Sequence, residues 1–413
     1  MSKKNILLIG AGGVAHVAAH KIAMNNDVLG DLCIASLFIK DCEEIINSIK
    51  RKGNIKDKSK KIYAKQIDAS NTNEVVKLIK ETNSQIVINL AQPFVNINIL
   101  EACIETQTAY IDTAVHEDFD VPVEQPPWYA NHEWKRKDIC AKKGVTAILS
   151  IGADPGIVNV YTAYAKKHFF DEIHTVDIVD VDTGEHGKFF ATTFDAETNF
   201  REFFDAWVWI DKKWVSVPVH TIKRDFNLPG LGPYTVYLTG HDEIHSLSQN
   251  FDINTIRFWM YFSEHYLNVF NILKNIGLIS LQPVKTHDGR EAIPLRVVKA
   301  LLPSSKSLAG PNYPGVEWIG NFITGKKNGK NREMTIYLIC EHQQAWKEVE
   351  SHAVCYTAGV PPVCAALLVA EGSWDVKKMV NVEELDPTPF LELLAKNGIN
   401  TYYEIKDIEK GKI

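Results

Sequence analysis

The chain has 413 residues, which at about 150 residues per domain allows two or three domains. Its 45% hydrophobic and 23% charged residues are typical of a globular protein, and its net charge of −6 disfavours nucleic acid as a partner. No apolar run reaches the roughly 18 residues that span a membrane, so no membrane association is expected. The seven cysteines contain no C-x-x-C pair, which is typical of reduced thiols and predicts a cytoplasmic protein.

Strand-like and helix-like segments alternate over the first part of the chain. Apolar runs predict strands at Lys4–Ile9, Leu32–Ile39, Ile62–Ile67, Ile86–Leu90 and Ala109–Thr113. Alanine-rich or periodic segments predict helices at Val14–Met24, Cys42–Arg51, Asn73–Lys80 and Ile99–Thr106. This alternation favours an α/β fold of the Rossmann type, a doubly wound parallel sheet covered by helices.

The alternation breaks at Val121–Trp128, which contains three prolines, and a domain boundary is predicted there. Ala147–Ser150 resembles one further strand. Beyond it, strands are predicted at Thr175–Val181, Ala206–Ile210, Lys213–Val219, Ile256–Phe262, Ala292–Val298 and Met334–Ile339. With the helix predicted at Phe270–Ile276 they indicate an α+β second domain. Pro361–Glu371 predicts a helix with two prolines at its start.

A glycine-rich loop follows the first predicted strand and fits the pattern G-x-G-x-x-G/A. Gly10 permits a tight turn, and Gly12 lets the backbone approach a pyrophosphate because it has no Cβ. Gly13 and Val14 open the helix, whose amino end favours an anion, and Ala15 lets helix and strand pack closely. The sequence therefore predicts a dinucleotide cofactor.

The second predicted strand bears on which dinucleotide is bound. NAD enzymes usually carry an acid at its end, but this strand reads Ser36-Leu37-Phe38, with no carboxylate before Asp41. Ser36 can donate to a 2′-phosphate, and Lys40 is the cation close by. This pattern favours NADP, with NADPH as the working form, and leaves NAD open.

Several motifs together resemble the saccharopine dehydrogenase family, in particular its bacterial branch that makes carboxylated polyamines. They are Ile6–Ala15, Ile86–Leu90 with Ala91-Gln92-Pro93, Tyr110–Ala114, Gly152–Asn159, Gly359–Pro362 and Asn381–Phe390. The resemblance implies reductive condensation of aspartate β-semialdehyde with putrescine or 1,3-diaminopropane at the expense of NADPH. The product would be carboxyspermidine or carboxynorspermidine.

The resemblance also implies an inserted second domain and a homodimer. The predicted division is a dinucleotide-binding domain at 1–124 and a substrate-binding and dimerisation domain at 125–355. A return segment at 356–413 is expected to pack on the first domain. One departure stands out: the family usually places an arginine where this chain has Leu37, and relaxed use of NADH would follow.

Further cofactor contacts are expected where the parallel strands end. Asn89, Ala91 and Pro93 follow one strand, and Asp112 and Thr113 end the next. Asp68 follows the third strand and is predicted to approach the adenine edge or to cap a turn.

Imine chemistry needs a group that accepts a proton from the amine and helps to expel water. Asp154 lies in a Pro-Gly turn ahead of a helix predicted near Ile157, and we interpret it as a proton carrier that also binds the diamine, or as a helix cap. Glu117 and His116 are further candidates, with a surface-loop position as the alternative.

The remaining candidates would bind substrate. Carboxylates for the far ammonium group are Asp182, Glu185, Asp195 and Glu197, and cations for the semialdehyde carboxylate are Arg201, Arg257 and Lys299; each is also typical of a surface ion pair. His241–His245 differs from H-E-x-x-H in the place of its glutamate, so no metal is predicted. Trp207, Trp209 and Trp214 can line a diamine pocket, but core or interface packing is favoured.

Other functions share these features. Saccharopine dehydrogenase would use glutamate in place of the diamine, and a homospermidine synthase would recycle its nicotinamide cofactor. A non-catalytic NADP-sensing protein would use the same fold to regulate a partner. The length of the diamine is left open.

Overall fold

The computed structural model describes residues 3–121, 124–202, 204 and 206–408. The predicted boundary at Val121–Trp128 therefore lies partly outside the described residues. The first elements are β1 (Lys4–Ile9), α1 (Gly13–Met24), β2 (Leu29–Ser36), α2 (Ile39–Lys52), β3 (Ile62–Gln66), α3 (Thr72–Thr82), β4 (Ile86–Asn89), α4 (Asn96–Thr106), β5 (Ala109–Asp112), α5 (Trp128–Asn131), α6 (Lys137–Lys143) and β6 (Ala147–Leu149).

The rest of the chain adds a second set of strands and helices. They are α7 (Ile157–His168), β7 (Glu172–Asp182), α8 (Ala196–Arg201), β8 (Ala206–Ile210), β9 (Lys213–Val217), β10 (Lys223–Leu228), β11 (Gly232–Thr239), α9 (Glu243–Asn250), β12 (Thr255–Met260), α10 (Glu264–Asn275), β13 (Val284–Lys285), β14 (Glu291–Ala292), α11 (Pro294–Leu301), β15 (Val316–Lys327), β16 (Lys330–Glu341), α12 (His342–Val349), α13 (Ala353–Glu371), β17 (Met379–Asn381), α14 (Pro387–Lys396) and β18 (Tyr402–Ile408).

The first sheet has seven parallel strands in the order β17-β6-β5-β4-β1-β2-β3. Ile6 and Leu8 of β1 pack with α1 and α2, whereas Leu7 and Ile9 pack with α3 and α4. Helices thus cover both faces, as predicted for a doubly wound fold. The strand order reverses at β1, and ligands of such sheets bind beyond the carboxyl ends at this point.

The second sheet is mixed. Its main path is β10-β11-β12-β7-β15-β16-β18, and the β8–β9 hairpin joins it through β12. β7 and β12 are parallel, and the other neighbours along the path are antiparallel. This is the α+β domain that the sequence predicts.

The chain passes between the two sheets more often than the predicted division implies. β6, within the predicted 125–355 domain, pairs with β5 of the parallel sheet. In the return segment, α13 packs on α1 and β17 pairs with β6, but β18 pairs with β16 of the second sheet. The chain therefore crosses between the two sheets three times, once more than the predicted division implies.

Three predicted elements are wrong in type or position. Ala292–Val298 was predicted as a strand but contains most of α11, in which Leu295 and Val298 are buried one turn apart. β2 ends at Ser36, before the predicted end at Ile39. Pro361 and Pro362 lie inside α13, which begins eight residues earlier than Pro361, at Ala353.

α13 has the length and apolar composition of a membrane-spanning helix, but 83% of its most apolar window is buried within the protein. It is the core helix between the two sheets. All seven cysteines are buried and unpaired.

Candidate functional site

The glycine loop joins β1 to α1 at the carboxyl edge of the parallel sheet. Gly10 has a φ of +118°, and a Cβ on it would lie 2.3 Å from the carbonyl oxygen of Leu90. A Cβ on Gly12 would meet no atom within 4 Å. No side chain caps α1, so the amides of its first turn are free to bind an anion. The open space at Gly12 and these amides fit a pyrophosphate.

The rest of the motif brings α1 and α13 together. A Cβ on Gly13 would stand 2.6 Å from the Cys355 sulfur, and one on Gly359 would stand 2.7 Å from the Val14 carbonyl oxygen. Ala15 is fully buried. These positions need small residues for packing, while their backbone remains at the helix amino end.

The end of β2 carries no charged side chain. Leu37 and Phe38 follow Ser36 and are 52% and 66% exposed. Lys40 is exposed in the first turn of α2. The edge where an adenosine ribose would lie is therefore formed by two apolar side chains, with one lysine beside them.

Two predicted cofactor side chains make hydrogen bonds within the protein. The Asp68 carboxylate accepts bonds from the backbone and hydroxyl two residues later, which matches the turn-cap alternative. Asn89 donates to Asn96 and Tyr110 and accepts from the Ala91 amide. Asn89 thus shapes the turn after β4 through its side-chain amide.

The turn after β5 lies against the turn after β6. The Ser150 amide donates to Asp112 at 2.5 Å, and burial raises the pKa of Asp112 to about 7. Thr113 lies 3.5 Å from where a Cβ on Gly152 would stand, and Pro93 is buried in the turn after β4. These residues form a rigid wall at the edge of the sheet.

His116 and Glu117 line one pocket together with Arg201, Glu202 and His241. Burial lowers the pKa of His116 and raises that of Glu117 to about 8. Glu117 lies 3.5 Å from Arg201, whose positive charge partly offsets this effect. Near neutral pH the pocket therefore holds a neutral imidazole and a carboxyl group that can give up a proton.

Asp154 lies in the turn before α7. The residue that caps α7 is Gly156, whose amide donates to the Asn159 side chain, so Asp154 is not the helix cap. One oxygen of the Asp154 carboxylate is buried without a hydrogen-bond partner. This carboxylate is therefore available to a ligand.

Asp154 belongs to a group of buried and half-buried acids at the junction of the domains, which we call the acidic cluster. Each member has a buried carboxylate oxygen without a hydrogen-bond partner, and the members are Asp154, Asp180, Glu202, Glu243 and Glu317. They are electrostatic neighbours of one another. Asp180 and Glu317 share a hydrogen bond between their side chains. Because buried polar atoms are rarely left unpaired, the other oxygens of the cluster call for hydrogen-bond donors from a ligand.

Burial and mutual repulsion disfavour the charged forms of these acids. Burial raises the pKa of Asp180 to about 7 and that of Glu202 to about 8. The pKa values of Asp154 and Glu317 are raised well above their usual range for the same reason, with Asp180 as a common neighbour. Without a cationic ligand the cluster is therefore partly protonated near neutral pH.

His241 is the cation of the cluster. Its Nδ1 lies 2.5 Å from Glu243, and its Nε2 lies 4.0 Å from Glu202. Burial opposes the charge on His241, but the carboxylates of Glu243, Glu202 and Asp154 outweigh burial and raise its pKa well above the usual value. One imidazolium therefore offsets only part of the acidic charge.

Sequence reasoning missed most of the acidic cluster. His241 and Glu243 were considered only as part of a metal motif, and Asp180, Glu202 and Glu317 were not predicted. Glu317 is a lone acid in a strand that is otherwise mostly apolar, and it is 1% exposed. A charged residue at a buried strand position was the available signal.

The predicted substrate-binding residues lie in different surroundings. Asp182 lines a cavity of about 550 Å³ with Asp180 and Glu317, but it also accepts a bond from His342 at 2.9 Å. The predicted Glu185 is exposed at the rim of this cavity. Asp182 is thus close to the acidic cluster, but one of its carboxylate oxygens already accepts a hydrogen bond from His342.

Arg257 does not lie at the site. It holds both oxygens of Asp177 at 2.6 and 2.8 Å, and this ion pair joins β12 to β7. The predicted role of Arg257 in substrate binding is therefore not supported by its geometry. Bidentate pairs of this kind leave little donor capacity for a ligand.

Arg201 and Lys299 share one acidic partner. Lys299 lies 3.0 Å from Asp195 and 3.4 Å from Glu197, and Arg201 lies 3.1 Å from Glu197. Arg201 also donates to the Phe119 carbonyl oxygen. Of these two cations, Arg201 lines the pocket of His116 and keeps a buried Nε without a partner.

The tryptophans and histidines of the β8–β9 hairpin region pack against one another. Trp209 and Trp214 are in contact, and Trp214 and Trp128 both lie against His245. This matches the packing alternative. His245 packs against tryptophans and is therefore not paired with His241 as in an H-E-x-x-H motif.

Within the described ranges, side chains close enough for a metal ion are His116, Asp118 and His132, with ligand atoms within 4.8 Å.

Comparison with known proteins bears on this arrangement. A family model described as the saccharopine dehydrogenase NADP binding domain matches residues 6–148, and one described as the saccharopine dehydrogenase C-terminal domain matches residues 152–399. The chain belongs to the saccharopine dehydrogenase family. It is an oxidoreductase of this family that uses NADP, as the glycine loop and the uncharged end of β2 predict.

Members of the saccharopine dehydrogenase family resemble the chain over almost its full length. A carboxynorspermidine synthase of Vibrio alginolyticus is 44% identical over 98% of each chain. A carboxyaminopropylagmatine dehydrogenase of Synechocystis is 37% identical, covering 95% of this chain and 96% of the relative. The apo saccharopine dehydrogenase (L-Glu forming) of Saccharomyces cerevisiae has the same fold, with a TM-score of 0.68 at 13% identity over 98% of this chain and 100% of that one.

Proposed function

We propose that the protein condenses L-aspartate 4-semialdehyde with a diamine, putrescine or 1,3-diaminopropane, and reduces the resulting imine with NADPH. The product is carboxyspermidine or carboxynorspermidine, a precursor in polyamine biosynthesis. The name of the Vibrio alginolyticus relative and its near-complete coverage support this reaction. The names of both curated relatives disfavour saccharopine or homospermidine synthesis.

The acidic cluster is the observation that carries the proposal. Each of the five acids has a buried carboxylate oxygen that no N–H group of the described residues reaches, Asp180 and Glu317 share a hydrogen bond, and one histidine offsets the charge only in part. A diamine brings two ammonium groups with three N–H donors each, which matches this need in both charge and hydrogen bonding. An amino acid such as glutamate would add carboxylates to a site that already has too many.

Asp154 is the proposed proton carrier. The attacking amine must be neutral, so a carboxylate beside it has to accept a proton from the ammonium group and return one when water leaves the carbinolamine. Asp154 is half-buried, has one buried oxygen without a partner and lies in the turn before α7. When bound, NADPH supplies the hydride that reduces the imine carbon.

Glu117 and His116 complete the proposed proton path. They line the pocket on the side of the parallel sheet, and a Glu117 pKa of about 8 lets it exchange protons near neutral pH. Arg201 is the proposed partner of the semialdehyde carboxylate, because its unpaired Nε belongs to the same pocket.

We extend the proposal to the setting of the enzyme. A cytoplasmic location suits seven buried, unpaired cysteines. A homodimer suits the apolar side chains that α10 and α11 expose: Ile272 on α10, Ile276 directly after it, and Val297 and Leu301 on α11 are 45–79% exposed. Sedimentation of a Leu301→Glu variant beside the unmodified protein tests the dimer.

Product analysis tests the proposed reaction. The purified protein is incubated with NADPH, aspartate semialdehyde and each diamine in turn, and the products are identified by mass spectrometry. We expect carboxyspermidine or carboxynorspermidine. A product with glutamate and none with either diamine would replace the proposal with a saccharopine-type reaction, and no product at all would favour an NADP-sensing protein.

A further inference from the structure

The missing arginine at the end of β2 raises the question of what holds the 2′-phosphate of NADP. Ser36, Leu37 and Phe38 provide no cation there, and Lys40 is a single exposed lysine. A 2′-phosphate carries about two negative charges near neutral pH and is usually held by an arginine or by several donors. A second cation is therefore expected nearby.

A segment of the second domain reaches the same place. Residues 304–307 read Ser304-Ser305-Lys306-Ser307 and lie in the connection between α11 and β15. The Ser305 hydroxyl stands 3.4 Å from the point where a Cβ on Gly13 would lie, so this segment is at the amino end of α1.

Lys306 extends from this segment to α2. Its Nζ lies 2.8 Å from Glu44. Glu44 is one helical turn beyond Lys40, and residues four apart share a face of a helix. Lys306 therefore reaches the face of α2 that carries Lys40, one turn beyond the position of Lys40.

We propose that Lys306 replaces the missing arginine and holds the 2′-phosphate of NADP from the second domain. The Lys306 and Glu44 side chains are 35% and 66% exposed, and an ion pair this exposed is weak. A phosphate dianion offers Lys306 a stronger, charge-assisted partner than Glu44 does. A residue of the second domain would then discriminate NADP from NAD. NADP binding would therefore depend on the position of the second domain relative to the first.

Binding measurements test this role without relying on turnover. Kd values for NADPH and NADH are measured by fluorescence titration of the unmodified protein, Lys306→Gln and Lys306→Arg. We expect Lys306→Gln to weaken NADPH by about 10- to 100-fold, the range for one charge-assisted hydrogen bond, and to leave NADH within about twofold. Lys306→Arg should retain most of the preference for NADPH.

A matched control is Lys327→Gln, which removes another lysine of the second domain from an exposed pair with Asp171. It should change neither Kd, and melting temperatures verify that each variant folds. Equal weakening of NADPH and NADH by Lys306→Gln would place the lysine at the pyrophosphate and overturn the proposal. No effect of Lys306→Gln together with selective loss of NADPH in Lys40→Gln would overturn it too.

Discussion

The Nδ1 of His241 lies 2.5 Å from the carboxylate of Glu243, and both side chains are buried among acids that lack hydrogen-bond donors. One imidazolium offsets only part of the negative charge that these acids carry when ionised. The junction of the domains therefore favours the binding of a cation. A diamine is such a cation, and its binding must then be linked to the protonation of the cluster.

Diamine binding should release protons and tighten as the pH rises. In the free protein Asp180 and Glu202 hold protons near neutral pH, because their pKa values are raised to about 7 and about 8. A bound dication favours the ionised acids, so their pKa values fall and protons leave. Calorimetric titration of the NADP complex with putrescine, in buffers of different ionisation enthalpy, measures this release.

The affinity should increase by about 10-fold or more between pH 6 and pH 8, with the diamine still doubly charged. Glu202→Gln should reduce both the proton release and the pH dependence. An affinity that is constant over this range, with no proton release, would contradict a binding site at the acidic cluster.

Asp154→Asn should remove activity without harming the fold. Asparagine cannot accept the ammonium proton, so kcat/KM should fall by about 100- to 10,000-fold, the usual range for one general acid–base group. The melting temperature should be unchanged or higher, because the substitution removes repulsion between Asp154 and the neighbouring acids. Asp138→Asn, an exposed acid in the first turn of α6, is the control and should keep full activity. Near-normal turnover in Asp154→Asn would exclude Asp154 as the proton carrier.

Two glycines of the cofactor loop should respond differently to substitution. Gly12→Val should fold normally, since a Cβ there meets no atom within 4 Å, but its side chain should fill the pyrophosphate space and weaken NADPH at least about 10-fold. Gly10→Ala should lower stability by more than about 1 kcal/mol, because φ is +118° and the Cβ would overlap the Leu90 carbonyl. Thermal melts and NADPH titrations separate the effects. Unimpaired NADPH binding by Gly12→Val would be inconsistent with the proposed site.

Two arginines offer a matched pair in the second domain. Arg201→Gln should raise the KM for aspartate semialdehyde more than the KM for the diamine, because it removes the guanidinium group from the pocket. Arg257→Gln should instead lower the melting temperature and leave both KM values unchanged, since the Arg257 guanidinium forms its ion pair with Asp177, away from the pocket. Steady-state kinetics measure the KM values of both variants, and melting curves measure their stability. Equal effects of Arg201→Gln on both substrates would argue against the assignment.

The parallel sheet was predictable from the sequence because its strands are short apolar runs separated by periodic helices. The glycine loop followed from spacing, and Gly10 and Gly12 have the geometry that the pattern demands. α11 was not predictable in this way, because a short apolar run such as Ala292–Val298 fits a strand and a helix equally well. Tertiary packing of Leu295 and Val298 decides for the helix.

The candidate site was only partly predictable, for a related reason. Asp154 followed from its turn at the edge of the sheet, but its partners come from β7, α9 and β15, which are distant along the chain. Glu317 and Asp180 meet because β15 and β7 pair. Such long-range strand pairing cannot be predicted from a local sequence pattern. The same holds for ion pairs between distant strands, such as that of Arg257 with Asp177.

The most direct test of the account is the rate of NADPH oxidation with aspartate semialdehyde, measured with and without putrescine or 1,3-diaminopropane. We predict oxidation that requires both the aldehyde and a diamine and that saturates with each of them. Folded protein that binds NADPH but does not oxidise it with either diamine would contradict the central claim.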